Sequence, residues 1–177
     1  WLAALTGTDV VALVAEAEGV ADAPLVLPYF GPGEQGALWD PALTGSVTGL
    51  TLQTTRGGLA RGILSGIVLE LRRCLDVLAE STGRKDPVVL SGAGGRAAFF
   101  RQDLADATGR AVRFDASEHD HSAIGAARLA AETVFGAAPA PKTLPEATPD
   151  PGRAPYWADR FERHEAARRA QTGKERP

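Results

Sequence analysis

The middle of the chain carries the clearest hydrophobic pattern, with apolar side chains recurring every three or four positions. This spacing predicts an amphipathic helix from about Leu59 to Glu80, ended by Gly83, whose apolar stripe faces the core. The expected stripe, in which the single cysteine is inert core, consists of Leu59, Ile63, Ile67, Leu71, Cys74, Leu75 and Leu78. Gly62 and Gly66 weaken this helix by about 1 kcal/mol each relative to alanine, a loss that close packing of another backbone would offset.

Short apolar runs and helical patterns alternate along the rest of the chain. Strands are predicted at Pro24–Phe30, Ser46–Thr51, Pro87–Ser91 and Ala111–Asp115, and further helices at Thr8–Glu18, Ala97–Thr108 and Ser122–Phe135. The Pro87–Ser91 run reads as a buried strand, and Gly31–Thr44 is rich enough in glycine and proline to predict a loop. Strand followed by helix in this rhythm indicates an α/β layer.

The last 40 residues change in composition. We expect one domain over 1–137, a linker rich in proline and alanine over 138–155, and a charged helix or tail over 156–177. His164 is expected to be exposed in that tail. Asp103 and Asp106 are expected to be solvated on the helix after the Pro87–Ser91 strand, because no base accompanies them.

Bulk properties narrow the function classes. With 177 residues, 44% hydrophobic and 23% charged, the chain can form one ordinary domain. A net charge of −3 gives no basic field, so we expect no nucleic-acid partner, and no stretch is long and apolar enough to cross a membrane. One cysteine excludes an internal disulfide and predicts a cytoplasmic location. The chain starts at Trp1 and has no methionine, so we expect it to be part of a longer protein.

A glycine-rich segment between a predicted strand and a predicted helix is the candidate site. Glycines there let the backbone approach a ligand, and the helix start favours phosphate. A plain tight turn explains the same glycines equally well. The segment also matches a dinucleotide fingerprint, Gly92-x-Gly94-x-x-Ala97, with Asp115 at a suitable distance, but too few strands follow for that fold. His119 and His121 flank Asp120 without a convincing third metal ligand, so we expect no metal site.

Four segments, in this order, resemble the second domain of the FGGY carbohydrate kinase family, which includes xylulokinase and glycerol kinase. The first contains Pro-Tyr, Gly-Glu and Trp-Asp-Pro, the second Gly-Ser-Val-Thr-Gly and Thr-Arg, the third the glycine segment, and the fourth Ser-Ala-Ile-Gly-Ala-Ala. They lie at Leu27–Pro41, Gly45–Arg61, Leu90–Val112 and Glu118–Ala127.

The resemblance implies an actin-like, ribonuclease H-like ATPase domain, with a mixed sheet flanked by helices. It implies Mg²⁺-ATP as phosphoryl donor and a sugar or polyol as acceptor, with a xylulose-like ketose as our choice. The aspartate that takes the hydroxyl proton belongs to the first domain of such kinases, so we expect no catalytic residue here and no turnover by this chain alone. A homodimer is a further expectation. The residues that the resemblance assigns to the nucleotide are Gly92, Ala93, Gly94, Gly95 and Ala98.

Several positions depart from the family pattern. Gly58 stands where a polar residue is usual, and Ser65 where an acid is usual. In the glycine segment, Ala93 replaces a glycine and Ala97 a serine, so Ala93 adds a methyl group near the expected ligand path. These changes support a second hypothesis, in which a degenerate actin-like domain binds a protein partner and no nucleotide.

Overall fold

The computed structural model describes residues 1–31, 40–115, 121–136 and 144–172. Most of the predicted Gly31–Thr44 loop therefore lies outside the described residues. The helices are α1 (Leu2–Thr6), α2 (Val10–Ala17), α3 (Arg56–Thr82), α4 (Ala98–Thr108), α5 (His121–Phe135) and α6 (Ala154–Thr172). The strands are β1 (Leu25–Leu27), β2 (Ser46–Thr48), β3 (Val88–Ser91), β4 (Val112–Asp115) and β5 (Glu146–Ala147).

Two small sheets organise the described strands. β1 and β2 form an antiparallel pair. β3 and β4 run parallel, joined through α4, and β5 is antiparallel on the far side of β4. This confirms the predicted mixed α/β arrangement. The prediction that β3 is a buried strand was wrong: Val89 is 60% exposed, and burial alternates along the strand, so only one face of β3 packs against other parts of the chain.

The main core lies where α3, α4, β4 and α6 meet. Its buried members are Val68, Leu69, Phe100, Leu104, Ala105, Ala107, Val112 and Trp157. Trp157 is 1% exposed although it belongs to the segment expected to be a charged helix or tail. β5 falls in the expected linker and pairs with β4. The boundaries at 137 and 155 stay predictions, but packing continues across the second of them.

The buried face of α3 differs from the predicted apolar stripe. Ile67 is 36% exposed and Leu78 55% exposed, and Cys74 is only partly buried. The buried part of α3 instead contains many small and polar residues beside the core residues Val68 and Leu69; these are Ala60, Gly62, Ser65, Gly66 and Arg73. The prediction failed because this face contacts backbone, for which small side chains matter more than hydrophobicity.

The glycines inside α3 explain that contact. A Cβ atom built on Gly62 would lie 2.8 Å from the carbonyl oxygen of Pro24, and one on Gly66 would lie 2.5 Å from that of Val26. The residues at the start of β1 therefore run directly against α3. This confirms the expectation that another backbone packs close to these glycines.

Substitution of Gly66 by alanine tests this close approach. Alanine favours a helix by about 1 kcal/mol over glycine, but here its methyl group must displace the Val26 carbonyl. We expect the free energy of unfolding to fall by about 1–3 kcal/mol, as for other overpacked sites. Gly125→Ala on α5 is the matched control, because its Cβ meets nothing within 4 Å, and it should stabilise the chain slightly. Urea unfolding of both variants measures the difference, and equal effects would contradict the contact.

None of the described helices combines the length and apolar character that crossing a membrane requires.

Candidate nucleotide-binding site

The glycine segment lies at the carboxyl end of β3. A single 3-10 turn, Ala93–Arg96, follows the strand directly, and α4 begins at Ala98. The neighbouring strand β4 ends at the same level, with Asp115 opposite Ser91. Ligands of parallel α/β sheets bind at this edge, beyond the carboxyl ends of the strands.

The glycines of the turn have different roles. Gly92 has a φ of 78°, a left-handed conformation that favours glycine. Gly95 is buried, and a Cβ there would lie 2.6 Å from the Phe114 ring. The Gly95 amide donates a hydrogen bond to the Gly92 carbonyl at 3.3 Å. The conformation and packing of the turn itself therefore explain Gly92 and Gly95, as expected if the segment is a plain tight turn.

The outer side of the turn is open. Ala93, Gly94 and Ala98 are exposed, and a Cβ on Gly94 would meet nothing within 4 Å. The residue before α4, Ala97, makes no side-chain cap hydrogen bond to the first turn of the helix. The first amides of a helix have no partner inside it and carry a partial positive charge. The arrangement can therefore accept an anion, although the assignment of these residues to a nucleotide stays a prediction.

The side chain of Arg101 binds the carbonyl groups at the carboxyl end of the turn. Its Nη1 donates to the carbonyl oxygens of Gly95 at 2.6 Å and Arg96 at 2.9 Å. Its guanidinium carbon lies 5.0 Å from the centre of the Phe114 ring. Our sequence analysis gave Arg101 no role. The available signal was its position four residues after Ala97, since helical side chains point back towards the helix N-terminus.

Two buried carboxylates, Asp103 and Asp106, connect α4 to neighbouring segments through ion pairs. The prediction that they are solvated was wrong. Asp103 is 2% exposed and pairs with Arg61 at 2.7 Å and with Arg153 at 3.0 Å. Asp106 pairs with Arg153 at 2.7 Å and accepts hydrogen bonds from Gln102 and from the Asp150 amide. These partners come from α3 and from the residues before α6, which holds the site helix in place.

The comparison with known families identifies the family of this chain. Residues 3–133 match the C-terminal domain of the FGGY family of carbohydrate kinases. The chain belongs to this family. Membership confirms the resemblance stated from the sequence, and it argues against the dinucleotide alternative.

Individual FGGY kinases show how far the similarity reaches. A xylulose kinase of Klebsiella pneumoniae is 35% identical over 172 residues, covering 92% of this chain and 35% of the relative. Among solved structures, xylulose kinase from Rhodospirillum rubrum gives a TM-score of 0.77 at 30% identity, covering 94% of this chain and 36% of that one. The corresponding kinase from Brucella ovis gives a TM-score of 0.86 at 23% identity, covering 98% of this chain and 37% of that one. This similarity shows the fold. The chain thus spans about a third of the length of these relatives.

The positions that depart from the FGGY pattern are placed as follows. The Gly58 amide donates to the Thr55 hydroxyl at 3.0 Å, which caps α3. Ser65 is 1% exposed, and its hydroxyl has no hydrogen-bond partner within the part of the chain that the structure describes.

Arg56 pairs with Glu16 on the surface. The FGGY-like residues Gly33–Trp39, the acid Glu118 and the pair His119–Asp120 lie outside the described residues.

A second buried polar cluster joins the residues just after β1 to α3 and α6. The hydroxyl of Tyr29 donates to Glu70 at 2.5 Å, and Arg73 contacts both Glu70 and Glu165. His164 is fully buried, so the prediction that it is exposed was wrong. Burial lowers the pKa of His164 to about 4. The physical reason is that the face of α6 that carries both Trp157 and His164 packs inward.

Proposed function

We propose that this chain is the nucleotide-binding lobe of an ATP-dependent carbohydrate kinase that phosphorylates a sugar or polyol hydroxyl. A xylulose-like ketose is the proposed acceptor, since two of the similar proteins are named xylulose kinases. The observation that carries the proposal is the exposed turn at the end of β3, with open space at Gly94 and an uncapped helix start behind it. A cytoplasmic location and a homodimer belong to the same proposal.

The residues of the turn would act by binding and orientation. Backbone amides near Gly94 and the first turn of α4 would hold the phosphates, and the exposed Ala98 would flank the nucleoside. Phosphoryl transfer depends mainly on positioning and charge neutralisation. Mg²⁺ would neutralise the phosphates. Among the described residues no group of three or more His, Cys, Asp or Glu side chains could hold a metal, so the ion would take most of its ligands from the nucleotide and water.

Binding of Mg²⁺-ADP to the 177-residue chain tests this proposal. Gly94→Asp places a negative charge where the phosphates would lie and should weaken ADP binding at least about tenfold, or about 1.4 kcal/mol. Adenosine, which has no phosphate, should be affected much less. Ala158→Asp adds the same charge on an exposed position of α6 and should leave binding unchanged. Titration calorimetry measures each of these binding constants, and no binding at millimolar Mg²⁺-ADP by the unsubstituted chain would refute the proposal.

A second candidate is a non-catalytic interaction module. The exposed Ala93 adds a methyl group to the turn at a position where glycine is usual in the family, and this favours a lobe that has lost nucleotide. In that case the chain forms a stable complex with a protein partner and binds no ADP. The titration above separates the two candidates, because only the kinase lobe responds to the phosphates.

A further inference from the structure

Arg101 occupies a position that helix stability alone does not favour. It lies in the first turn of α4, where the helix dipole disfavours a cation. Its side chain nevertheless reaches back over the turn and donates to two carbonyl oxygens, those of Gly95 and Arg96. A guanidinium at this point therefore serves the turn rather than the helix.

The two hydrogen bonds fix the direction of two peptide groups. In a planar trans peptide the C=O of one residue and the N–H of the next point in opposite directions. The amides of Arg96 and Ala97 therefore point back into the 3-10 turn, and Arg101 holds the two carbonyls at its carboxyl end. One side chain thus sets the orientation of the peptide groups that connect the turn to α4.

The ring of Phe114 packs against the guanidinium of Arg101. Its ring lies 5.0 Å from the guanidinium carbon and also covers Gly95. Arginine over an aromatic face gains a cation–π interaction in addition to its hydrogen bonds. A turn with three glycines in four residues would otherwise lose much conformational entropy on ordering. Holding it in one conformation before a ligand arrives lowers that loss at the moment of binding.

We propose that Arg101 is a positioning residue that orders the glycine turn for a nucleoside di- or triphosphate. The inference rests on the proposed nucleotide-binding function. It differs from that function because Arg101 acts through the backbone of the turn and contacts no phosphate itself.

Two substitutions separate positioning from simple charge attraction. Arg101→Lys keeps the charge but loses the planar guanidinium that lies over Phe114 while its Nη1 reaches both carbonyls, and Arg101→Met loses the charge as well. We expect both to weaken Mg²⁺-ADP binding about five- to tenfold, with little difference between them. Arg113→Met is the matched control, since Arg113 is a half-exposed arginine of β4 paired with Glu146, and its loss should leave ADP binding within about twofold.

Amide hydrogen exchange provides a measurement that needs no nucleotide. In the free chain, Arg101→Lys and Arg101→Met should speed exchange at residues 92–97 about tenfold or more, while the second half of α4 keeps its protection. General loss of stability would speed exchange throughout α4. The control Arg113→Met should leave both regions unchanged.

The possible results point to different conclusions. If Arg101→Lys binds ADP as the unsubstituted chain does, Arg101 acts by charge and the proposal is wrong. If ADP binds to every variant equally, the nucleotide function stands and the role of Arg101 is refuted. If the unsubstituted chain binds no ADP, both proposals fail, and a rise in exchange at residues 92–97 would then identify Arg101 as a purely structural support.

Discussion

Replacement of Asp103 by alanine is expected to lower the free energy of unfolding by about 3–5 kcal/mol, the range for breaking a buried ion pair from one side. Asp103 is 2% exposed and binds two guanidinium groups. Without it, Arg61 remains as a charge whose side chain is only 11% exposed. Arg153 is less affected, because it is more exposed and keeps Asp106.

A double-variant cycle shows whether the loss comes from the stranded charge. Arg61→Met in the Asp103→Ala background removes the uncompensated guanidinium and should recover part of the lost stability. Asp159→Ala, on the exposed side of α6 where Asp159 lies 3.6 Å from Arg163, is the matched control and should change stability by less than about 0.5 kcal/mol. Urea unfolding measures each variant. An effect of Asp103→Ala as small as that of the control would mean that the carboxylate is solvated, as the sequence alone suggests.

Asp103 illustrates why some features of this structure could be predicted from the sequence and others could not. Local patterns located β3, the glycine turn, α4 and β4, because strand runs and glycine stops act within a few residues. α4 ends at Gly109, which adopts the left-handed conformation with φ 64°. The partners of Asp103 lie far away in sequence, with Arg153 50 positions along the chain. No window of local sequence contains that pairing.

The candidate site likewise has features that the sequence predicts and features that it does not. Gly92 and Gly94 could be assigned to a turn from their spacing, and the family resemblance added the nucleotide. That Gly95 is buried under Phe114 follows only from the parallel pairing of β3 and β4. The role of α6 was missed because its few apolar residues are spaced among arginines. Trp157 nevertheless enters the core, and Arg160 binds the carbonyls of Ala23 and Pro24.

His164 should make the stability of the chain depend on pH in a defined window. It is fully buried on α6, and neither ring nitrogen has a hydrogen-bond partner among the described residues. Four charged groups act on it: Glu70 and Arg73 from α3, and Glu165 and Arg168 from α6 itself. Burial dominates over the attraction of Glu70, whose oxygen lies 3.8 Å from Nδ1, and lowers the pKa of His164 to about 4.

The sign of the effect follows from which state binds the proton. Above pH 6.5, the ordinary pKa of histidine, His164 is neutral in the folded and the unfolded chain. Between pH 6.5 and about 4 the unfolded chain binds a proton that the folded chain does not, so stability falls as the pH falls. Below that window both states are protonated and His164 adds no further change. The pKa difference corresponds to about 3 kcal/mol by pH 4.

His164→Leu isolates this contribution. The ring makes no hydrogen bond among the described residues, so replacing it by an apolar side chain should change stability at pH 7 by less than about 1.5 kcal/mol. Because Glu70 and Glu165 are present in both proteins, the difference between the two stability curves reports mainly His164. Urea unfolding from pH 7.5 to 4 should give a variant that gains about 3 kcal/mol relative to the unsubstituted chain across the window. Parallel curves would mean that His164 is accessible to protons in the folded chain, and that α6 does not bury this side of the tail.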